Sequence, residues 1–105
     1  MTPEQFFACV ETDLELRGVG VGIDGESGDG VFVVEHVPSR YQTKLPFSSV
    51  EAHDWRTLRR VIAGEVVPQP LMHITRVVGY FSRIENWNKS KIGELRDRRK
   101  GDYAV

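Results

Sequence analysis

Apolar residues near the start of the chain recur at helical spacing. Phe6, Val10 and Leu14 stand four apart with Phe7 beside them, so residues 3–16 are expected to form an amphipathic helix. Thr2 suits the N-cap, and Gln5 three residues later completes a capping box. Pro3 fits the first helical position, where its missing N–H is not needed, and Gly18 is the expected stop. The pattern then changes period. Val19, Val21 and Ile23 alternate with glycines, and residues 31–37 are rich in β-branched side chains. The turn formers from Asp24 to Gly30 between them predict a β-hairpin. Glycine at every second position implies that another element approaches one strand face closely.

Residues 38–49 read as a loop broken by Pro38 and Pro46. A second helix is expected over residues 50–63, with Ser48 and Glu51 as its capping box. Its apolar stripe is Trp55, Leu58, Val61 and Ile62, and Arg56, Arg59 and Arg60 form its wet side. Val66 to Pro70 reads as a stiff connector, and Leu71 to Ser82 as a strand interrupted by Gly79. After a polar loop at Asn86–Asn88 comes a short helix with Ile92 and Leu95 facing inward. The order α-β-β-α-β-α predicts an α+β fold, helices packed on a short, mostly antiparallel sheet. Residues 1–105 form a single domain in this reading. Residues 1–70 supply a helix, a hairpin and a second helix of no assigned role, and residues 71–100 the last strand, its glycine and a basic helix.

A chain of 105 residues supports one ordinary core, and neither a long apolar run nor a secretory leader is visible. The expectation is a soluble, cytoplasmic domain away from membranes. A single cysteine excludes an internal disulfide and a cysteine-rich zinc site. The net charge of −1 hides a division: residues 1–55 hold three cations against ten acids, residues 56–105 eleven against five. The simplest consequence is that the two halves neutralise one another when packed. The cluster Arg96, Arg98, Arg99 and Lys100 reads as a solvated helix face.

Most formal motifs carry no chemistry. Gly20, Gly22 and Gly25 fit a G-x-G-x-x-G pattern, but a strand follows where a dinucleotide loop must open into a helix. Asp24, Glu26 and Asp29 lack the spacing of an EF-hand and read as a solvated turn. His36, His53 and His73 are far apart, so no metal site is assigned. Cys9 lies beside the apolar stripe and reads as a small buried hydrophobe.

Residues 73–99 are the informative stretch. Arg76-Val77-Val78-Gly79-Tyr80 is followed by Trp87-Asn88-Lys89-Ser90-Lys91, Glu94 and Asp97-Arg98. This order resembles the C-terminal end of anaerobic (class III) ribonucleoside-triphosphate reductases, members of the glycyl radical enzyme superfamily. There an Arg-Val-x-Gly-Tyr core carries the radical glycine, and an aromatic-Asn pair, lysines, an acid and an Asp-Arg ending follow in some members. About a quarter of the chain is covered. The resemblance implies that Gly79 is the radical position, with Arg76 and Tyr80 as its motif partners. It further implies a partner surface of Trp87, Asn88, Lys89, Lys91, Arg96 and Arg98. Glycine suits the role because a Cα radical flattens as it delocalises onto the flanking amides, and a side chain would obstruct that geometry. By the same resemblance a separate S-adenosylmethionine-dependent iron–sulfur activase would remove the hydrogen atom, and no cofactor would be held firmly by this chain.

Departures from the family pattern bound the activity. Val78 stands where a small residue is usual, and the four-cysteine zinc site and the barrel that shields the radical have no counterpart in 105 residues. Nucleotide reduction by this polypeptide alone is therefore not expected. Three roles follow: a non-catalytic reductase-related protein acting by binding in or with an anaerobic reductase system; a detachable glycyl radical subunit, similar in concept to the small autonomous cofactor of pyruvate formate-lyase; or a nucleotide or nucleic-acid module using the basic half.

Overall fold

The computed structural model describes residues 1–25, 27–67, 73–77 and 83–101, with backbone alone for Arg83, Glu85 and residues 97–101. The chain begins with helix α1 (Pro3–Thr12), capped as its sequence dictates. The Gln5 amide donates to Thr2 Oγ1 at 3.1 Å, and the Thr2 amide donates to Gln5 Oε1 at 2.9 Å. Phe6, Phe7 and Val10 form its buried face. The helix ends four residues earlier than its periodicity suggests. Asp13 is extended, and its Oδ1 accepts the Glu15 amide at 3.0 Å, a local turn that competes with the helical bond. Leu14 consequently lies in a turn, fully exposed, and is not part of the core stripe. Gly18 is no helix stop, for it belongs to strand β1 (Leu16–Ile23).

Strand β1 and strand β2 (Gly30–His36) form the expected antiparallel hairpin, with Val21 opposite Phe32 and Ile23 opposite Gly30. Asp24 N–H donates to the Asp29 carbonyl at 2.8 Å, and Gly28 supplies the positive φ of 76° that the turn needs. The register slips between Gly18 and Gly20, which leaves Val19 as an extra residue.

The proline-flanked segment expected to be a loop contains strand β3 (Tyr41–Pro46), paired along β2 from His36↔Tyr41 to Val31↔Pro46. Its prolines lie where they do no damage, Pro38 in the preceding turn and Pro46 at the strand's last position. Thr43 and Leu45 alternate inward, a period-two signal only three residues long. The expected second helix is two. Helix α2 (Phe47–Ala52) follows Pro46 with no side-chain cap, so Ser48 and Glu51 do not form the capping box; the Ser48 amide instead donates to Asp29 Oδ2 at 3.1 Å. Helix α3 (Trp55–Ile62) restarts at Asp54, whose Oδ1 accepts the Thr57 amide at 2.9 Å.

Two short strands complete the sheet. β4 (Thr75–Arg76) pairs with β3, and β5 (Arg83–Glu85) pairs with β1, giving the order β4-β3-β2-β1-β5 with every pair antiparallel. Helix α4 (Lys89–Gly101) closes the described chain. The four helices among the described residues feed one core cluster, in which Phe6, Val50, Leu58 and Ile92 meet Val21, Phe32, Val34 and Leu45 from the strands. Gly20, Gly22, Val31 and Val33 lie on the opposite strand face and are buried too. The architecture is an α+β single domain, and no helix among the described residues is long and apolar enough to cross a membrane.

Candidate functional site

The segment that carries the reductase resemblance enters the sheet at one edge and rejoins it at the other. Arg76 is in β4, at the β3 edge, where it pairs with Thr43. Its guanidinium reaches past the sheet to the C-terminal end of α3. Nη2 donates to the Val61 carbonyl at 3.0 Å and Nη1 to the Ile62 carbonyl at 3.2 Å, and Nη1 also donates to Thr43 Oγ1. The cation lies 4.8 Å from the centroid of the Tyr41 ring. These contacts have a local cause. Helix α3 ends in a turn with Gly64 at φ 80°, where the Glu65 amide bonds the Arg60 carbonyl and the Gly64 amide bonds the Val61 carbonyl. Arg76 adds a charged donor to Val61 and Ile62, at the negative end of the helix dipole. Among the described residues every Arg76 contact anchors structure. Gly79 and Tyr80 lie outside the described residues.

The downstream motif residues are also built into the domain. The Trp87 indole stacks on Phe7, with ring centroids 4.5 Å apart and planes 8° from parallel, and approaches Phe32 at 5.5 Å. Gly18 lies beneath it: a Cβ there would fall 2.1 Å from the indole ring. This close approach is on the core face, because the register shift turns Gly18 away from the face of Gly20 and Gly22, so it is not the shared glycine face the alternation implies. Asn88 begins α4, its Oδ1 accepting the Ser90 amide at 3.0 Å and the Ser90 hydroxyl at 2.8 Å. Lys91 pairs with Glu94 at 3.3 Å, and Arg96 pairs with Glu4 of α1. Lys89 is exposed, and the Arg98 side chain lies outside the described residues.

Among the described residues, part of the charge division is met by pairs between the halves, Arg96 with Glu4 and Arg59 with two acids. Arg59 Nε donates to Asp13 Oδ2 and its Nη2 to Glu15 Oε1, both at 2.8 Å. Burial pushes the Asp13 carboxyl up, but hydrogen bonds from Arg59 and from the Glu15 amide, with the Arg59 charge, prevail and hold it below its ordinary range. Arg59, placed by its spacing on the wet side of the helix, is thus committed to an ion pair, while Arg56 and Arg60 remain exposed.

Sequence reasoning missed a polar cavity of about 540 Å³ beside the β1–β2 turn. Asp24, Ser27 and Asp29 line it from the turn, Lys44 from β3 and Thr75 from β4, with His73 at its rim. Its groups are largely engaged with each other: Ser27 Oγ donates to Asp24 Oδ2 at 2.7 Å, and Lys44 lies 3.5 Å from Asp24 Oδ1. His73 has a positive φ of 56°, uncommon for a side-chain-bearing residue. No signal in the sequence joins these residues, because the turn and residues 73–75 meet only through β3. His36 is elsewhere, with Nδ1 2.7 Å from Ser39 Oγ, and His53 ends α2. Cys9 is half-buried. Among the described residues no group of three or more potential ligands could hold a metal ion. No family model, curated protein or solved structure matches this chain.

Proposed function

We propose that this protein is a small relative of anaerobic ribonucleoside-triphosphate reductases, non-catalytic alone, which acts through residues 73–98 in or with such a reductase. The observation that carries this reading is the order Arg76-Val77-x-Gly79-Tyr80, then Trp87-Asn88-Lys89, Lys91, Glu94 and Asp97-Arg98. Arg76, Trp87, Asn88 and Arg96 have structural partners within the domain, and the reading rests on the order as a whole rather than on those contacts. A two-residue edge strand and a capped helix tolerate many sequences, whereas a partner built around one sequence does not. The architecture fits a protein that presents a segment. β1, β2, β3 and the helices supply a core that includes Ile74 and Ile92, and the resembling segment joins it at the two sheet edges.

The second reading, a detachable radical subunit, is favoured by the glycine itself. With no side chain to obstruct a planar backbone radical, it stands at the position where the resembled family carries its radical. In this role a hydrogen atom passes from the Gly79 Cα to the 5′-deoxyadenosyl radical made by the activase. The resulting glycyl radical then takes a hydrogen atom from a reductase cysteine. The nucleic-acid reading loses ground because Arg59, Arg76 and Arg96 are committed internally.

Anaerobic incubation with the reductase, its activase, a reductant and S-adenosylmethionine distinguishes these roles. Association with the reductase supports the first. A doublet electron-spin resonance signal, absent in Gly79→Ala, with chain cleavage at residue 79 on admitting air, supports the second. Absence of both association and signal, with an activase proved competent on its own reductase, overturns both. Binding to polynucleotide that weakens steeply with salt would instead establish the third.

A further inference from the structure

Exposed apolar side chains gather at one end of the sheet, where β1 and β3 begin and β2 ends. Among the described residues four large hydrophobic side chains are exposed, and three of them, Leu14, Val37 and Tyr41, belong to this end. Leu16, His36 and Tyr41 are register neighbours across β1, β2 and β3. Leu14 lies two residues before this row and Val37 one residue after it, and the Val37 amide donates to the Glu15 carbonyl at 2.8 Å. The three side chains thus span the ends of three adjacent strands, about 10 Å at ~4.8 Å per strand. Single exposed apolar residues are ordinary, whereas a row of them marks a contact surface.

The row is ordered before anything covers it. Arg59 bonds the residues on both sides of Leu14, Asp13 and Glu15, each at 2.8 Å, while Leu14 itself is 100% exposed. The Tyr41 ring has the Arg76 guanidinium 4.8 Å from its centroid and Gly64 beside its edge. Turns and rings that are already fixed lose little entropy on association. Charge indicates the occupant. At the β1 side Glu11, Asp13 and Glu15 outnumber Arg59, and at the β3 side Arg40, Arg60 and Arg76 outnumber Glu65. Arg17 and Glu35, next along the β1–β2 ladder, neutralise each other. Arg40 and Arg60 are exposed, and Glu15 keeps 57% of its side chain exposed beyond its bond to Arg59. A surface acidic at one side, apolar along its middle and cationic at the other is complementary to itself turned end for end.

We propose that this end of the sheet joins two copies of the chain as an isologous dimer. A two-fold axis passing by Val37 sets Leu14 of each copy against Tyr41 of the other, and Glu15 of each against Arg40 of the other. The interface is independent of the reductase reading. Three apolar anchors per copy place it at the small end of specific contacts, so association is reversible, with a Kd on the order of 10–100 μM.

Sedimentation equilibrium of the full chain from about 5 to about 500 μM reads the association, and urea unfolding of dilute protein checks the fold of each variant. The wild type passes from monomer to dimer across this range, and raising salt from about 0.02 to about 0.5 M weakens it at least ~3-fold. Leu14→Asp, at a fully exposed position, weakens self-association at least ~10-fold without shifting the urea midpoint. Arg40→Glu and Glu15→Lys each weaken it at least ~5-fold, because each sets like charges together twice. Mixed in equal amounts, those two variants associate within ~3-fold of the wild type, since each supplies the charge the other has lost. Monomer at every concentration overturns the interface. Unchanged association of Leu14→Asp overturns the apolar row, and a mixture no tighter than its components overturns the two-fold arrangement. Should Glu15→Lys not fold, Leu14→Asp and Arg40→Glu still decide the matter: weaker association in both upholds the interface, and unchanged association in both overturns it.

Discussion

Replacing Gly18 with alanine tests the packing that fixes Trp87. At most glycines without a positive φ, alanine stabilises by about 0.4–1 kcal/mol because the unfolded chain loses freedom. At Gly18 the new methyl would lie 2.1 Å from the Trp87 ring. Carbon–carbon contact begins near ~3.5 Å, so strand or ring must yield by more than about 1 Å. The ring has little room, being stacked on Phe7 at 4.5 Å and near Phe32 at 5.5 Å. If Trp87 stays and the backbone strains, overpacking costs about 1–3 kcal/mol. If Trp87 is expelled, the loss approaches the ~3–5 kcal/mol of deleting a large aromatic. At mid-range, about 2 kcal/mol of strain less about 0.7 kcal/mol of entropic gain leaves Gly18→Ala destabilised by roughly 1 kcal/mol, and by more if Trp87 is expelled, in urea unfolding with an unchanged slope. In a Trp87→Ala background the clash with the indole is gone and the penalty falls, a coupling a double-mutant cycle measures directly. A neutral or stabilising Gly18→Ala, or an equal penalty with and without Trp87, would refute the reasoning.

Other substitutions probe the caps and the ion pair. Thr2→Ala removes one side of a complete capping box and is expected to cost about 1 kcal/mol in chemical unfolding; no loss would mean that the first turn is held by packing alone. Gly64→Ala forces a side chain into φ 80° and brings a methyl within 3.3 Å of Arg76 Nη2, so it should cost about 1–2 kcal/mol. Because the Asp13 carboxyl is held below its ordinary value of 3.8, its contribution to stability is complete above that pH and is lost as pH falls through its lower folded value. Unfolding measured from pH 5 downward should therefore show a smaller acid-induced loss for Asp13→Asn than for the wild type, and identical curves would show that the Arg59 pair contributes nothing.

The fold was legible where one local signal dominated. The capping box at Thr2 and Gln5, the turn-rich stretch before Gly30 and the stripe of Leu58, Val61 and Ile62 each led to the element found. It was illegible where neighbours decided. The helix through Leu14 fails because Asp13 bonds its own turn, a competition that apolar spacing does not register. β3 hid behind its prolines because a ladder tolerates proline at its ends, and the break at His53–Asp54 precedes the apolar stripe that begins at Trp55, so the stripe does not register it. At the candidate site the sequence marked the motif but not its attachments. That Trp87 covers Gly18, or that Arg76 reaches α3, depends on contacts between residues far apart in the chain. The division of charge was visible, and the pairing of Arg59 with Asp13 and Glu15 is its structural consequence.

Whether residues 73–98 recognise an anaerobic reductase, as proposed, is decided by a binding titration performed without oxygen. Labelled chain is titrated with a class III ribonucleoside-triphosphate reductase, alone and after removal of that enzyme's own glycine-bearing C-terminus. Saturable binding is expected, stronger when the competing C-terminus is gone and lost when residues 73–98 are replaced by an unrelated sequence of equal length. Equal, non-saturating signals for the intact, truncated and replaced proteins would contradict it.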